Sequence, residues 1–393
     1  MKNILFIFDR PIIPQRGGVQ RVTRTIADFL ESSGRYRAFF LASPKGRKSG
    51  ADDADARQFF LPVPHFSCGE SRRFVRSFLA EKRIDVVVFQ SAVARPFPYV
   101  RECAALKIPV CSVFHQPPDS WMRKEPKTLL SRFRRWRKRM HVAFRYARLC
   151  RVSSAVALLS EGYRAELCKY LPDKEELRRK ICVIPNMVDC SSPGTAEPDF
   201  PAKKKELLFV GRLEPGAKRV DLLLRIWAKL EKRFPAWSLR IVGGGGEDDW
   251  RFVKDFESSL GLKRVHFEGF QNPEPYYRDA SIFCLTSAYE GFGLVLVEAA
   301  SFGCVPVAFE SFAAARDIIA DGENGCLVPA FDLDAYAETL ARLMSDDALR
   351  ERLAKNALAQ IPEKFSPEKV GAQWEALFRK ILTETKSSET RKR

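Results

Sequence analysis

The sequence lacks the features that would take a protein out of the cytoplasm or build a metal centre. Its longest apolar run near the start, Ile4 to Phe8, is interrupted by Asp9 and Arg10, and no later segment approaches the roughly 20 residues that cross a bilayer. The ten cysteines, scattered from Cys68 to Cys326, form no CxxC pair and have no histidine at metal-ligand spacing. Several of them (Cys111, Cys182, Cys284) sit in apolar, strand-like runs, where a thiol behaves as a small hydrophobe. The expectation is a cytosolic chain with reduced thiols and no zinc or redox role. There is no repeat array, low-complexity tract or P-loop. Four glycines, Gly243–Gly246, follow a strand but lack the GxGxxG frame, and read as a flexible strand-to-helix turn more than as a phosphate cradle.

What is present is a globular composition, 46% hydrophobic and 29% charged, in 393 residues, too many for one ordinary core. Two domains are expected. The net charge of +17 is local. Between Trp121 and Arg151 stand twelve Arg and Lys residues against Glu125 alone, which accounts for eleven of the seventeen positive charges.

Short β-branched or aromatic runs alternate with helix-period segments, the pattern of parallel sheets with crossover helices. In the first half the strands are Ile4–Phe8, Arg37–Leu41, Asp85–Phe89, Val110–Phe114, Ala155–Leu159 and Ile181–Ile184, with helices over Val19–Glu31 and Ser71–Lys82. In the second half they are Leu207–Val210, Leu239–Val242, Val265–Phe267, Ile282–Leu285, Val305–Ala308 and Cys326–Val328. The Pro-, Gly- and Ser-bearing stretch Cys190–Lys205 reads as a linker, giving domains over 1–190 and 206–364 with a linker at 191–205. Residues 365–393 form a last helix and a polar tail expected to fray from about Thr383.

Four local patterns point to chemistry. After the strand Ile282–Leu285 comes Glu290-Gly-Phe-Gly293, then a buried helix over Leu294–Ser301. Free amides at that helix start, with the helix dipole, favour a phosphate, and the amides of Leu294 and Val295 head it. Glu298 lies just over one turn in; helical side chains lean back toward the N-terminus, and a carboxylate accepts both vicinal hydroxyls of a ribose. Upstream, Arg212 closes a strand and Lys218 opens a helix six residues on, a pair able to clamp a diphosphate. Gly17-Gly18 offers backbone amides before the first helix, and His115 ends the strand Val110–Phe114, at the carboxyl edge where α/β sheets bind ligands. Taken singly, each has a plainer reading: surface glutamates, a solvated turn, and a histidine satisfying a backbone carbonyl.

The fourth pattern is the basic segment. Leu129, Phe133, Trp136, Met140, Phe144 and Ala147 recur every three or four residues, tracing an apolar stripe flanked by arginines on a helix that Pro126 can start. A cationic helix with Trp and Phe suits an anionic lipid surface. Packing of the stripe on the N-terminal sheet is the alternative, and a helix partly packed and partly membrane-facing is the expectation. Arg134, Arg135, Trp136, Arg137 and Lys138 are the candidates for membrane or acceptor contact.

In order along the chain stand GGVQ (17–20), VIPNMVD (183–189), FVGRLEPGAK (209–218), EGFGLVLVEAASFGCVPVA (290–308) and DGENGCLVP (321–329). This series resembles the retaining glycosyltransferases of family 4, from about Lys2 to Phe378. The resemblance implies the α/β GT-B fold: two Rossmann-like domains facing each other across a cleft, with the C-terminal helix returning to the N-terminal domain. It implies transfer of a hexose or N-acetylhexosamine from a nucleotide sugar, UDP preferred, without cofactor or metal. In its terms Gly18, Arg212 and Lys218 contact the donor phosphates, as does the Gly293–Val295 helix start. Glu290 and His115 contact the sugar, Glu298 the ribose, and Phe270, within Gly269–Gln271, the base. Glu290, Arg212, Lys218 and His115 carry the catalytic role, by stabilising the leaving diphosphate during a front-face displacement with retention. Where the family often has a glycine after the lysine, this chain has Arg219, which is expected to reshape the loop.

The expected acceptor is a lipid-linked saccharide of bacterial surface-polysaccharide assembly, with the enzyme attached peripherally to the inner face of the cytoplasmic membrane. A GT-B nucleotide-sugar epimerase is one alternative. A basic nucleic-acid-binding protein on an α/β scaffold is another, and the confinement of charge to one segment speaks against it.

Overall fold

The computed structural model describes residues 1–8, 10–11, 17–45, 55–63, 68–90, 97–122, 128–189 and 200–390. The chain divides into two compact units, Met1–Met187 with Pro367–Arg393, and Val188–Ser366.

The first unit runs β1 (Lys2–Phe8), α1 (Gly18–Ser32), β2 (Tyr36–Ala42), β3 (Gln58–Phe60), α2 (Gly69–Glu81), β4 (Val86–Phe89), α3 (Phe97–Ala105), β5 (Val110–Phe114), α4 (Leu129–Val152), β6 (Ala155–Leu158), α5 (Glu161–Cys168), α6 (Glu175–Arg178) and β7 (Ile181–Val183). Its strands are parallel, in the order β3-β2-β1-β4-β5-β6-β7. Runs such as Val86–Phe89 and Val110–Phe114 are buried at every position, as strands covered on both faces must be. β3 escapes sequence reading because three half-buried residues show no alternation; its pairing with Phe40–Ala42 of β2 makes it a strand.

The second unit runs β8 (Lys204–Val210), α7 (Val220–Leu230), β9 (Ser238–Val242), α8 (Glu247–Ser259), β10 (Val265–Gly269), α9 (Glu274–Asp279), β11 (Ala280–Leu285), α10 (Leu294–Ser301), β12 (Val305–Phe309), α11 (Ala315–Ile318), β13 (Cys326–Val328), α12 (Leu333–Ser345) and α13 (Asp347–Phe365). Its sheet is also parallel, β10-β9-β8-β11-β12-β13. β8 begins at Lys204, inside the stretch read from sequence as linker, because Lys204 pairs with Ala280 of β11. Along α7 the buried Val220, Leu223, Leu224, Trp227 and Leu230 form one apolar stripe on the sheet. Each such side chain contributes about 1.5–3 kcal/mol by burial.

The last helix, α14 (Pro367–Thr390), belongs to the first unit and packs on α1. Arg35 holds Glu375 with two bonds of 2.7 and 2.6 Å, and Tyr36 meets Phe378 ring to ring at 6.2 Å. The polar tail expected to fray from Thr383 is instead helical to Thr390. Its hydroxyls turn back onto the helix, Thr383 to the Arg379 carbonyl (2.9 Å) and Thr385 to that of Ile381 (2.7 Å).

The nine described cysteines are free. Burial pushes the Cys103 and Cys150 thiols up to about 12 and that of Cys182 to about 11, which leaves these three protonated and unreactive at neutral pH. Among the described residues no helix is long and apolar enough to cross a membrane.

Candidate active site

Both sheets have an order that reverses beside their first strand, β1 against β4 and β8 against β11. Outside the carboxyl ends of two such strands, the loops part in opposite directions and leave a crevice where α/β sheets bind ligands.

In the second unit that crevice holds an ion pair. Lys218, in the loop after β8, places Nζ 2.5 Å from Oε1 of Glu290, in the loop after β11, with the two side chains 15% and 12% exposed. The hydroxyl of Ser287 donates to the same Oε1 at 2.7 Å. The backbones are tied as well: the Ala288 amide donates to the Ala217 carbonyl at 2.7 Å, and the Thr286 hydroxyl to the Arg219 carbonyl at 3.1 Å. Ser311, after β12, donates to the Ser287 carbonyl at 2.6 Å. A lysine and a glutamate 72 residues apart are thereby held together by loops from three strands. Ser287 went unnoticed in the sequence; a hydroxyl three residues before Glu290 at a strand's carboxyl end was the signal.

Next to this pair, α10 begins. Gly293 heads it at φ 93°, a left-handed conformation, and no side chain caps the helix. The amides at Leu294 and Val295 therefore belong to the orphan donors of a helix start. Glu298 lies on the same helix and accepts a hydrogen bond from the Tyr277 hydroxyl at Oε2, 3.1 Å.

The glycine run has a packing role. Gly243 sits at φ 144°, and a Cβ there would lie 1.8 Å from the Gly211 carbonyl oxygen. Only glycine lets the β9 turn pass so close to the end of β8, where Gly211 and Leu213 donate to the carbonyls of Val242 (3.0 Å) and Gly244 (2.9 Å). Phe270, 75% exposed, stands past β10 beside Gly244.

The structure gathers Lys218 and Glu290, places Glu298 and the Gly293–Val295 turn on one helix, and sets Phe270 on the same rim of strand ends. Arg212 is different: 77% exposed, it pairs with Glu214 at 3.2 Å and not with the Lys218–Glu290 cluster. Arg219 adopts the left-handed region at φ 51°, ψ 45°, which costs a non-glycine residue about 1 kcal/mol, and its guanidinium grips Asp221 with two 2.9 Å bonds. Glycine would take this conformation without that cost.

In the first unit, Gly18 is the first residue of α1, whose N-cap Gly17 is extended and offers no side-chain cap. His115 leaves the end of β5, and its Nε2 lies 2.5 Å from Oε1 of Gln90, the residue after β4. Burial lowers the His115 pKa to about 4, so the ring is neutral at physiological pH. Gln90 is a second residue that sequence reading missed, although its place at a strand's carboxyl end marks it.

The basic helix α4 starts at Leu129, capped by Thr128 jointly with Ser131; Pro126 lies outside the described residues. Its C-terminal half is packed: Val142, Tyr146, Leu149 and Cys150 are buried, and the Tyr146 hydroxyl donates to the Pro118 carbonyl at 3.0 Å. Phe133, Trp136, Met140 and Phe144 are instead 54–60% exposed, joined by Leu130 at 59%. Ala147, expected on the stripe, is 8% exposed because the packed end of the helix covers it. The rings of Phe133 and Trp136 stack at 5.8 Å. Arg134, Arg137 and Lys138 are exposed around them and Arg135 is partly covered.

Residues 16–192 match the family described as Glycosyltransferase Family 4, and residues 195–360 match Glycosyl transferases group 1. The D-inositol 3-phosphate glycosyltransferase of Nocardiopsis dassonvillei is 36% identical over 196 residues, 45% of either chain. An uncharacterised glycosyltransferase of Haemophilus influenzae is 30% identical over 198 residues, 49% of this chain and 55% of the relative. The chain spans about half the length of these curated relatives. Among solved structures, Anabaena HepE in complex with UDP superposes with a TM-score of 0.76 at 19% identity, over 97% of this chain and all of that one. A glycosyltransferase from Rickettsia africae gives 0.77 at 16% identity, over 97% and 98%. At such identities the likeness speaks for the fold. With two adjoining family matches over most of the sequence and two Rossmann-like units, the chain belongs to glycosyltransferase family 4 and has the GT-B fold.

Proposed function

We propose that this glycosyltransferase moves a hexose or N-acetylhexosamine from a UDP-sugar, with retention and without a metal, onto a lipid-linked saccharide at the cytoplasmic face of a bacterial membrane. The observation that supports the donor site best is the Lys218–Glu290 pair at the switch point of the second sheet. A lysine held there by a carboxylate has a partner to exchange when a diphosphate arrives. Lys218 would then neutralise the charge that grows on the leaving diphosphate, aided by the α10 amides and by Arg212 swinging from its solvent-exposed bond to Glu214. Glu290, steadied by Ser287, would turn to the sugar; in the first unit, His115 is a neutral group able to hydrogen-bond a hydroxyl. Retention would follow from the departing phosphate accepting the acceptor's proton on the face it leaves. UDP in the HepE complex is consistent with the choice of nucleotide.

The acceptor reading draws on α4. Five large apolar side chains exposed on one helix, with cationic neighbours, suit the interface of an anionic bilayer. The galactosyltransferase WaaB and the alpha-glucosyltransferase of Bacillus subtilis act, by their names, on the lipopolysaccharide outer core and on poly(glycerol-phosphate), in keeping with a saccharide or polymer acceptor. A thermal-shift screen against UDP- and GDP-sugars tests the donor. A UDP-sugar should raise Tm in proportion to its binding, and no response to either series would remove the donor-site assignment.

A further inference from the structure

We propose that Tyr277 is a positioning residue for nucleotide binding, its hydroxyl fixing the Glu298 carboxylate in the orientation that receives the two ribose hydroxyls. This rests on the reading of Glu298 as the ribose-binding carboxylate.

Tyr277, in α9, is 2% exposed. Its ring lies nearly parallel to that of Phe302, the residue capping α10, at 5.9 Å and 16°, and meets the edge of Phe283 of β11 at 6.0 Å and 63°. Its carbonyl accepts from Lys203 Nζ at 3.1 Å and from the Cys304 thiol at 3.1 Å. Ring and backbone are therefore held from several elements at once, and the phenol has no room to swing. The hydroxyl of this fixed ring is 3.1 Å from Glu298 Oε2.

Glu298 is a half-buried side chain with three rotatable torsions, and ordering it on ligand binding costs conformational entropy. A bond from an immobile phenol meets that cost before the ligand arrives, which is how preorganisation raises affinity. A carboxylate has about four lone-pair sites, and the bond from Tyr277 takes up one of them. A phenylalanine would fill the same slot between Phe302 and Phe283; what the tyrosine adds is the hydrogen bond.

The test is a comparison of UDP with 2′,3′-dideoxy-UDP by titration calorimetry on the full chain, or of their guanosine counterparts if GDP is what the wild type binds. The wild type should prefer the ribose form at least tenfold. Tyr277→Phe should cut that preference about fivefold or more, in line with loss of one hydrogen bond to a charged group, while the dideoxy affinity stays within twofold. Donor KM should rise with kcat unchanged. Glu298→Gln should cut the preference too, and the double variant should lose little beyond it. If Tyr277→Phe weakens both nucleotides equally, or neither, while Glu298→Gln still erases the preference, Tyr277 is a packing residue and the inference fails alone. If the wild type shows no ribose preference, or binds neither nucleotide, the reading of Glu298 fails and this inference with it.

Discussion

Both units wind their sheets in the same sense and leave a crevice beside the first strand, yet the two crevices are chemically unlike. Beside β8 stands a charged, mutually satisfied cluster of Lys218, Glu290 and Ser287, with an uncapped helix start next to it. Beyond β4 and β5 stands a neutral pair, Gln90 and a histidine that burial keeps unprotonated. The same scaffold thus yields one crevice lined by charge and one lined by neutral polar groups. The strand order decides where a ligand sits, and the loop residues decide which ligand. The first unit carries its charge elsewhere, on the surface of α4.

The contrast can be broken at its charged end first. Glu290→Gln keeps the side chain's shape and removes its charge. We expect kcat for glycosyl transfer to fall by about 10²–10³, the range for loss of one preorganised electrostatic group, with little change in the circular dichroism spectrum. Full activity would show that the charged cluster is only structural. Gly243→Ala attacks the same crevice through its backbone. A methyl group 1.8 Å from the Gly211 carbonyl, at a φ that disfavours side chains, should cost about 3 kcal/mol or more of stability in urea unfolding, by displacing the β9 turn. An unshifted midpoint would mean that the two strand ends are not so close.

The basic helix of the first unit can be sharpened by separating its apolar and cationic parts. Phe133→Ser with Trp136→Ser should weaken sedimentation with phosphatidylglycerol vesicles by about thirtyfold or more, since each ring loses part of a burial contribution of about 1.5–3 kcal/mol. Arg134→Gln or Arg137→Gln should each weaken it about fivefold at low salt, from about 1 kcal/mol per basic residue. Neutral vesicles binding as well as anionic ones would contradict the charge argument.

How much of this was legible beforehand follows the physics. Strands such as Val110–Phe114 and helices such as Leu294–Ser301 show in the sequence because a buried element must be apolar at the right period, and both occupy the residues expected. β3 did not show, since its only cause is a partner strand distant in sequence. Glu290 and Lys218 could be singled out by type and place, but not the bond between them, which needs the loops of two strands 72 residues apart to converge. The orientation of Arg212 toward Glu214 was equally hidden. On α4 the periodicity gave the stripe, while which part of it is covered depends on Tyr146 and its neighbours docking beside Phe114 of β5.

The neutral crevice makes the smallest prediction, and a pH-dependent one. His115 has an ordinary value of 6.5 and a folded value of about 4, so between these the unfolded chain takes up a proton that the folded chain refuses. Its contribution to stability is complete above about pH 6.5 and declines as pH falls toward 4. His115→Gln should flatten that part of the profile relative to wild type in urea melts at pH 7 and pH 5; an identical slope would mean a histidine that titrates normally.

The central claim is that the cluster beside β8 grips a diphosphate. Titration calorimetry of UDP into wild type and Lys218→Met measures it directly, since methionine keeps the length of the side chain and removes the charge. Binding to Lys218→Met should weaken by about ten- to a hundredfold, consistent with a charge-assisted bond worth about 1.5–3 kcal/mol, and its salt dependence should flatten with it. Equal affinities for the two proteins would place the diphosphate elsewhere and contradict the account.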